Sequence, residues 1–92
     1  MSAQIELTLI GKPGCHLCDD ARTAINEVVT DFLARNPEVE IVRIEKDINT
    51  DEALAEKYRE EIPALLINGK MHNYWRIDSE RLTRALFALA SN

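Results

Sequence analysis

Cysteine is scarce in this 92-residue chain, and its only two, Cys15 and Cys18, stand three positions apart. That is too little for the disulfide framework of a small secreted domain, and a reducing compartment keeps such a pair as thiols unless it cycles. Basic residues are in the minority, 11 Lys and Arg against 16 Asp and Glu for a formal net charge of -5, and they are scattered. A nucleic-acid partner and an anionic membrane surface are both disfavoured, since each needs a clustered cationic patch. Long apolar runs are missing too. None approaches the roughly 20 residues that span a bilayer, and the run Ala64-Leu65-Leu66-Ile67 suits a buried strand. The opening Met1 to Glu6 has neither the basic stretch nor the apolar run of a signal peptide, so a cytoplasmic protein is expected. Repeats, linkers and low-complexity segments are absent.

What is present suits one folded domain over residues 1–92, with 46% hydrophobic and 29% charged residues. Ile5, Leu7 and Leu9 alternate with Glu6 and Thr8, the period of a strand, which ends at Gly11-Lys12-Pro13-Gly14. From Cys15 to about Arg35, Leu17, Ala21, Ile25, Val28 and Phe32 recur at helical spacing. Val39 to Glu45 reads as a second strand and Asp51 to Arg59 as a short helix, with Thr50 expected as its N-cap. A third strand spans Ala64 to Ile67, and Asn68-Gly69 forms a hairpin turn into a fourth, about Met71 to Arg76. The last helix starts at Asp78, an N-cap, with Ile77 and Leu82 as a hydrophobic staple. The order βαβαββα predicts an α/β fold. Two βα units imply parallel pairing, the hairpin adds an antiparallel strand, and helices cover both faces of a four-stranded mixed sheet.

Cys15 lies where the first strand gives way to a helix, among unpaired N–H groups at the positive end of the dipole. At an ordinary pKa of about 8.5 only roughly 3% of a thiol is ionised at pH 7. A value about 2 lower makes most of it thiolate and corresponds to ~2.7 kcal/mol. Lys12 is a candidate cationic partner, whereas Asp19 and Asp20 act against ionisation and His16 acts in either direction. Cys18, one turn inside, is expected to be more covered and suited to resolving a mixed disulfide on Cys15. Other readings compete. Cys15, His16, Cys18 and His72 offer four ligand types for zinc, but a second pair at the usual spacing is lacking. Cysteines are also common as small core residues, a reading that the strand-turn-helix setting weakens.

Lys12-Pro13-Gly14-Cys15-His16-Leu17-Cys18, together with Ile62-Pro63, Asn68-Gly69 and Trp75, resembles the glutaredoxin branch of the thioredoxin superfamily along nearly the whole chain. The resemblance implies a thioredoxin fold with a cis Pro63 beside the cysteines. It also implies that Ile62 N–H and C=O receive an extended peptide or glutathione as an added strand. The expected activity is reduction of protein or glutathione mixed disulfides by Cys15 and Cys18, with Lys12, Ile62 and Pro63 binding the substrate. No metal and no tightly bound cofactor are expected; glutathione is a candidate co-substrate, and a reductant protein is the alternative electron source. Two departures bear on this. His16 and Leu17 replace the Pro-Tyr of typical glutaredoxins, and Tyr74-Trp75-Arg76-Ile77-Asp78 stands where those proteins carry Gly-Gly and an acidic residue that helps hold glutathione. Trp75 and Arg76 are candidates to line the groove by stacking on or pairing with a substrate, with packing the favoured reading for Trp75; Tyr74 is expected to pack, and His72 to be a surface strand residue. The rival from another class is a noncatalytic protein-binding module with vestigial cysteines.

Overall fold

The computed structural model describes residues 4–91. The strands are β1 (Gln4–Gly11), β2 (Glu40–Asp47), β3 (Ala64–Ile67) and β4 (Lys70–Tyr74), and the helices are α1 (His16–Arg35), α2 (Glu52–Tyr58) and α3 (Ser79–Ala90). They form an α/β fold with one mixed sheet in the order β2-β1-β3-β4. β1 pairs in parallel with β2 along its whole length, from Gln4 opposite Glu40 to Gly11 opposite Asp47.

β3 departs from the expected parallel pairing: it runs antiparallel to β1, with Ala64 opposite Ile10 and Ile67 opposite Leu7. The reason is the length of α2. Its seven residues span about 10 Å, roughly the two strand spacings that separate β2 from β3 across β1. The connection therefore crosses one end of the sheet and does not return the chain to the other.

Pleating of the central strands sorts the core onto two faces. Ile5, Leu7, Leu9, Leu65 and Ile67 meet Ala21, Ile25 and Phe32 of α1 and Leu82 and Leu86 of α3. Ile10 and Ala64 turn the other way, onto Tyr58 of α2 and Ile48. Helices thus cover both faces. The alternation that marks β1 in the sequence shows only one of its buried sides, because Thr8 and Ile10 are buried as well.

Local chemistry sets the ends of the elements. Asp51, and not Thr50, caps α2: its carboxylate accepts the N–H groups of Ala53 and Leu54 at 2.9 and 3.2 Å. Thr50 belongs to a preceding 3-10 turn (Ile48–Thr50), and its hydroxyl donates to the Asp47 carbonyl. Asp78 caps α3 by accepting the Arg81 N–H, and Ile77 packs against the cluster containing Leu82. At the hairpin, Asn68 (φ 51) and Gly69 (φ 83) both take positive φ. Asn68 also clasps β1, donating its N–H to the Glu6 carbonyl and accepting the Glu6 N–H on Oδ1. β4 stops at Tyr74, two residues short of the expected Arg76, because Trp75 has φ 67 and leaves the extended region. Among the described residues, no helix is long and apolar enough to cross a membrane.

Candidate active site

β1 delivers the chain to the edge of the sheet at Gly11, and the turn Lys12-Pro13-Gly14 reverses it into α1, with Gly14 at φ 75. Cys15 is the N-cap of α1. Its backbone is extended (φ -95, ψ 115), and its Sγ accepts the Cys18 N–H at 3.2 Å. Sulfur here does the work usually done by a serine or aspartate oxygen.

Cys18 sits one turn further in and is 1% exposed. Its sulfur packs against Gly11, where a Cβ would stand only 2.7 Å from it, so this strand end requires glycine. Burial pushes the Cys18 thiol up to about 11, and its hydrogen bond with Cys15 adds to that, while the Lys12 backbone N–H donates to it and pulls the other way. The two cysteines are therefore unequal. One is partly exposed and caps a helix, and the other is covered and held protonated.

Lys12 reaches Cys18, and not both cysteines, through its backbone. Its exposed side chain borders a cleft of ≈ 390 Å³ that also reaches Gly11, Cys18, Arg22 and Glu45. The acids expected to oppose ionisation have different fates. Asp19 accepts from Arg22 Nη1 at 2.9 Å, and the same guanidinium grips Glu45 of β2 through Nε and Nη2 at 2.9 and 2.8 Å. Asp20 stays exposed. Arg22 lies outside the motif that marks the site in the sequence. The three-residue spacing from Asp19 was a usable signal for half of this arrangement, whereas nothing local announces Glu45.

On the opposite wall the Ile62–Pro63 peptide bond is cis, and Pro63 is fully buried. Among the described residues, no hydrogen bond engages the N–H or C=O of Ile62. Trp75 braces this segment from both sides, its backbone N–H donating to the Pro63 carbonyl at 2.7 Å and its indole Nε1–H to the Glu60 carbonyl at 2.9 Å. Packing is the favoured expectation for this indole and groove lining its alternative; with 52% of the residue exposed, the ring lines a groove. Tyr74 and Leu17 are exposed too, so Leu17 leaves the buried stripe of α1 to line, with Ile62, Tyr74, Trp75 and Arg76, a groove of ≈ 500 Å³.

His72 is also not the surface residue anticipated. β4 shifts register against Leu65 and Leu66 at this point, and among the described residues the buried His72 Nε2 has no hydrogen-bond partner. Desolvation lowers its pKa, helped by Arg81 and opposed by Asp78. Among the described residues, no three His, Cys, Asp or Glu side chains converge as a metal-ligand set.

A four-stranded mixed sheet flanked by three helices, with a Cys-x-x-Cys at a helix N-terminus facing an X-Pro segment, defines a thioredoxin-fold protein of the glutaredoxin-like kind. The chain belongs to the glutaredoxin-like domain family (DUF836), whose model matches residues 6–87. Among solved structures it is similar to the structural-genomics target XcR50 from X. campestris, at 28% identity and a TM-score of 0.68 over 89% of this chain and 96% of that one. It is also similar to protein Ne2328 from Nitrosomonas europaea, at 21% identity and a TM-score of 0.70 over 92% and 94% of the two chains. Oxidised thioredoxin from Plasmodium falciparum shares the fold at 14% identity, with a TM-score of 0.60 over 96% and 83%. No curated protein matches the chain.

Proposed function

We propose that the chain is a thiol–disulfide oxidoreductase that uses Cys15 and Cys18 as a dithiol to reduce protein or glutathione mixed disulfides. The observation that carries this reading is the inequality of the pair, with Cys15 Sγ at the cap of α1 accepting the Cys18 N–H and Cys18 covered behind it. Cys15 thiolate attacks one sulfur of the substrate disulfide, and the other leaves as a thiolate that takes up a proton. Cys18 then loses its proton and attacks the Cys15 sulfur, releasing the second substrate thiol. The substrate gains two electrons, and the Cys15–Cys18 dithiol becomes a disulfide.

Glutathione or a dithiol reductant protein returns the two electrons. The high pKa of Cys18 supports the order of events, since a protonated Cys18 leaves the first attack to Cys15. The unpaired backbone of Ile62 supports docking of an extended substrate beside Pro63. A cycling dithiol with no structural disulfide suits the cytoplasm, where we assign the protein.

The test is a disulfide-reduction assay on single variants. Cys15→Ser is expected to abolish turnover, and Cys18→Ser to stall with one substrate equivalent attached to Cys15, read as an added mass. Retained turnover in Cys15→Ser overturns the assignment.

A further inference from the structure

Trp75 pairs an unfavourable backbone conformation with an exposed ring. Its φ of 67 lies in the left-handed region, which bulky side chains avoid, and the residue is nonetheless half exposed. Strain of this kind persists only where the surroundings impose it. Here the imposing contacts are its hydrogen bonds to Pro63 and Glu60, and Tyr74, whose ring meets the indole edge to face with centroids 4.9 Å apart. The indole N–H is spent on Glu60, so what the ring offers to a visitor is its apolar surface.

That surface lines the groove with Leu17, Ile62, Tyr74 and Arg76. One end of the groove is the first turn of α1, between the two cysteines, and the other is the residue before Pro63. The groove itself carries Arg76, Asp20 borders the neighbouring hollow beside Leu17 and Trp75, and Glu60 and Glu61 adjoin Ile62 in a hollow they share with Lys57 and Arg59. The chain as a whole carries a net charge of -5.

Glutathione, a small tripeptide with a carboxylate at each end, finds little here to hold it. The nearby N-terminus of α3 is already occupied, because Asp78 accepts the Arg81 N–H at 3.0 Å and gives its own N–H to Asn73 Oδ1 at 2.9 Å. An extended protein segment fits better. Its backbone can pair with Ile62, a bulky apolar side chain can lie on the indole, and basic flanks complement the net negative charge of the chain.

Resting on the oxidoreductase reading above, we propose that Trp75 is a specificity-determining residue. Its groove selects protein disulfides whose cysteine is followed by a bulky apolar side chain within a basic extended segment, in preference to glutathione.

The only tryptophan of the chain is the groove wall itself, so its fluorescence reports occupancy without any redox step. Lysine-flanked peptides carrying Ser-Phe or Ser-Ser in place of the Cys-containing pair, and S-methylglutathione, are titrated against the reduced protein. The Phe peptide is expected to shift the emission and to saturate at about 10-fold lower concentration than the Ser peptide, with S-methylglutathione producing no shift. Equal affinities for the two peptides, or tighter binding of S-methylglutathione, overturn the proposal.

Reduction of the corresponding Cys-Phe and Cys-Ser disulfides is then compared across variants. Trp75→Gly, which accepts the same φ, is expected to cut the Phe-over-Ser ratio in kcat/KM from about 10-fold to within about 2-fold, and Trp75→Phe to keep most of it. A ratio that survives in Trp75→Gly overturns the proposal. Failure of the wild-type protein to reduce even 2-hydroxyethyl disulfide strikes the oxidoreductase reading instead, and the fluorescence titration still decides the groove.

Discussion

The sulfur of Cys18 occupies the ground that a side chain at Gly11 would need, 2.7 Å from the position of its Cβ. Strand end and helix start are thereby locked at a contact between a backbone and a thiol. Gly11→Ala is expected to destabilise the protein by about 1–3 kcal/mol through overpacking, measured by urea unfolding. Cys18→Ala removes the obstructing sulfur, so the double variant is expected to recover most of that loss. A coupling energy near zero in this cycle contradicts the contact.

The raised pKa of Cys18 links stability to alkaline pH. Below the unfolded value of 9.0 both states keep the proton and the full stability is present. As pH rises from there toward about 11, the unfolded thiol ionises first and stability is lost. The expected loss is on the order of 2–3 kcal/mol. Unfolding midpoints of wild type and Cys18→Ala between pH 8 and 11 isolate it, since other alkaline titrations are common to both. Parallel profiles contradict the prediction.

His72 produces the opposite dependence. Its folded pKa lies below the ordinary 6.5, so its contribution is present above that value and lost as pH falls through the lower folded pKa. Arg81 and Asp78 of the α3 start face it with opposite signs. His72→Gln is expected to flatten the fall in thermal midpoint on the acid side of pH 6.5, and a fall unchanged in slope contradicts the role of this ring.

Arg22 ties Asp19 of α1 to Glu45 of β2, but all three side chains are substantially exposed. Arg22→Ala is therefore expected to cost only about 1 kcal/mol or less. The difference from wild type should shrink further in 1 M salt, where the Debye length is about 3 Å.

Much of this arrangement is legible in the chain because it depends on neighbours in sequence. The Asn68-Gly69 hairpin, the Asp78 cap with its Ile77–Leu82 staple and the position of Cys15 at a helix start each follow from a handful of adjacent residues. The covered state of Cys18 follows from one helical turn. What escaped reading depends on partners far away. The direction of β3 turns on where α2 can reach, and the exposure of Trp75 turns on carbonyls at Glu60 and Pro63 that hold it in an unfavourable backbone conformation. His72 is half-buried, with its Nε2 covered, beside a register shift that no spacing rule announces.

The two walls of the site hang from unequal parts of the sheet. Cys15 follows β1, which is paired on both sides, in eight positions with β2 and four with β3. Trp75 follows β4, an edge strand of five residues with a break in its register. Amide hydrogens behind the cysteines should accordingly exchange with solvent last, and those beneath the indole among the first. The Trp75 wall can breathe on its own timescale while Cys15 keeps its place, so opening of the groove requires no disturbance of the strand that carries the sulfur.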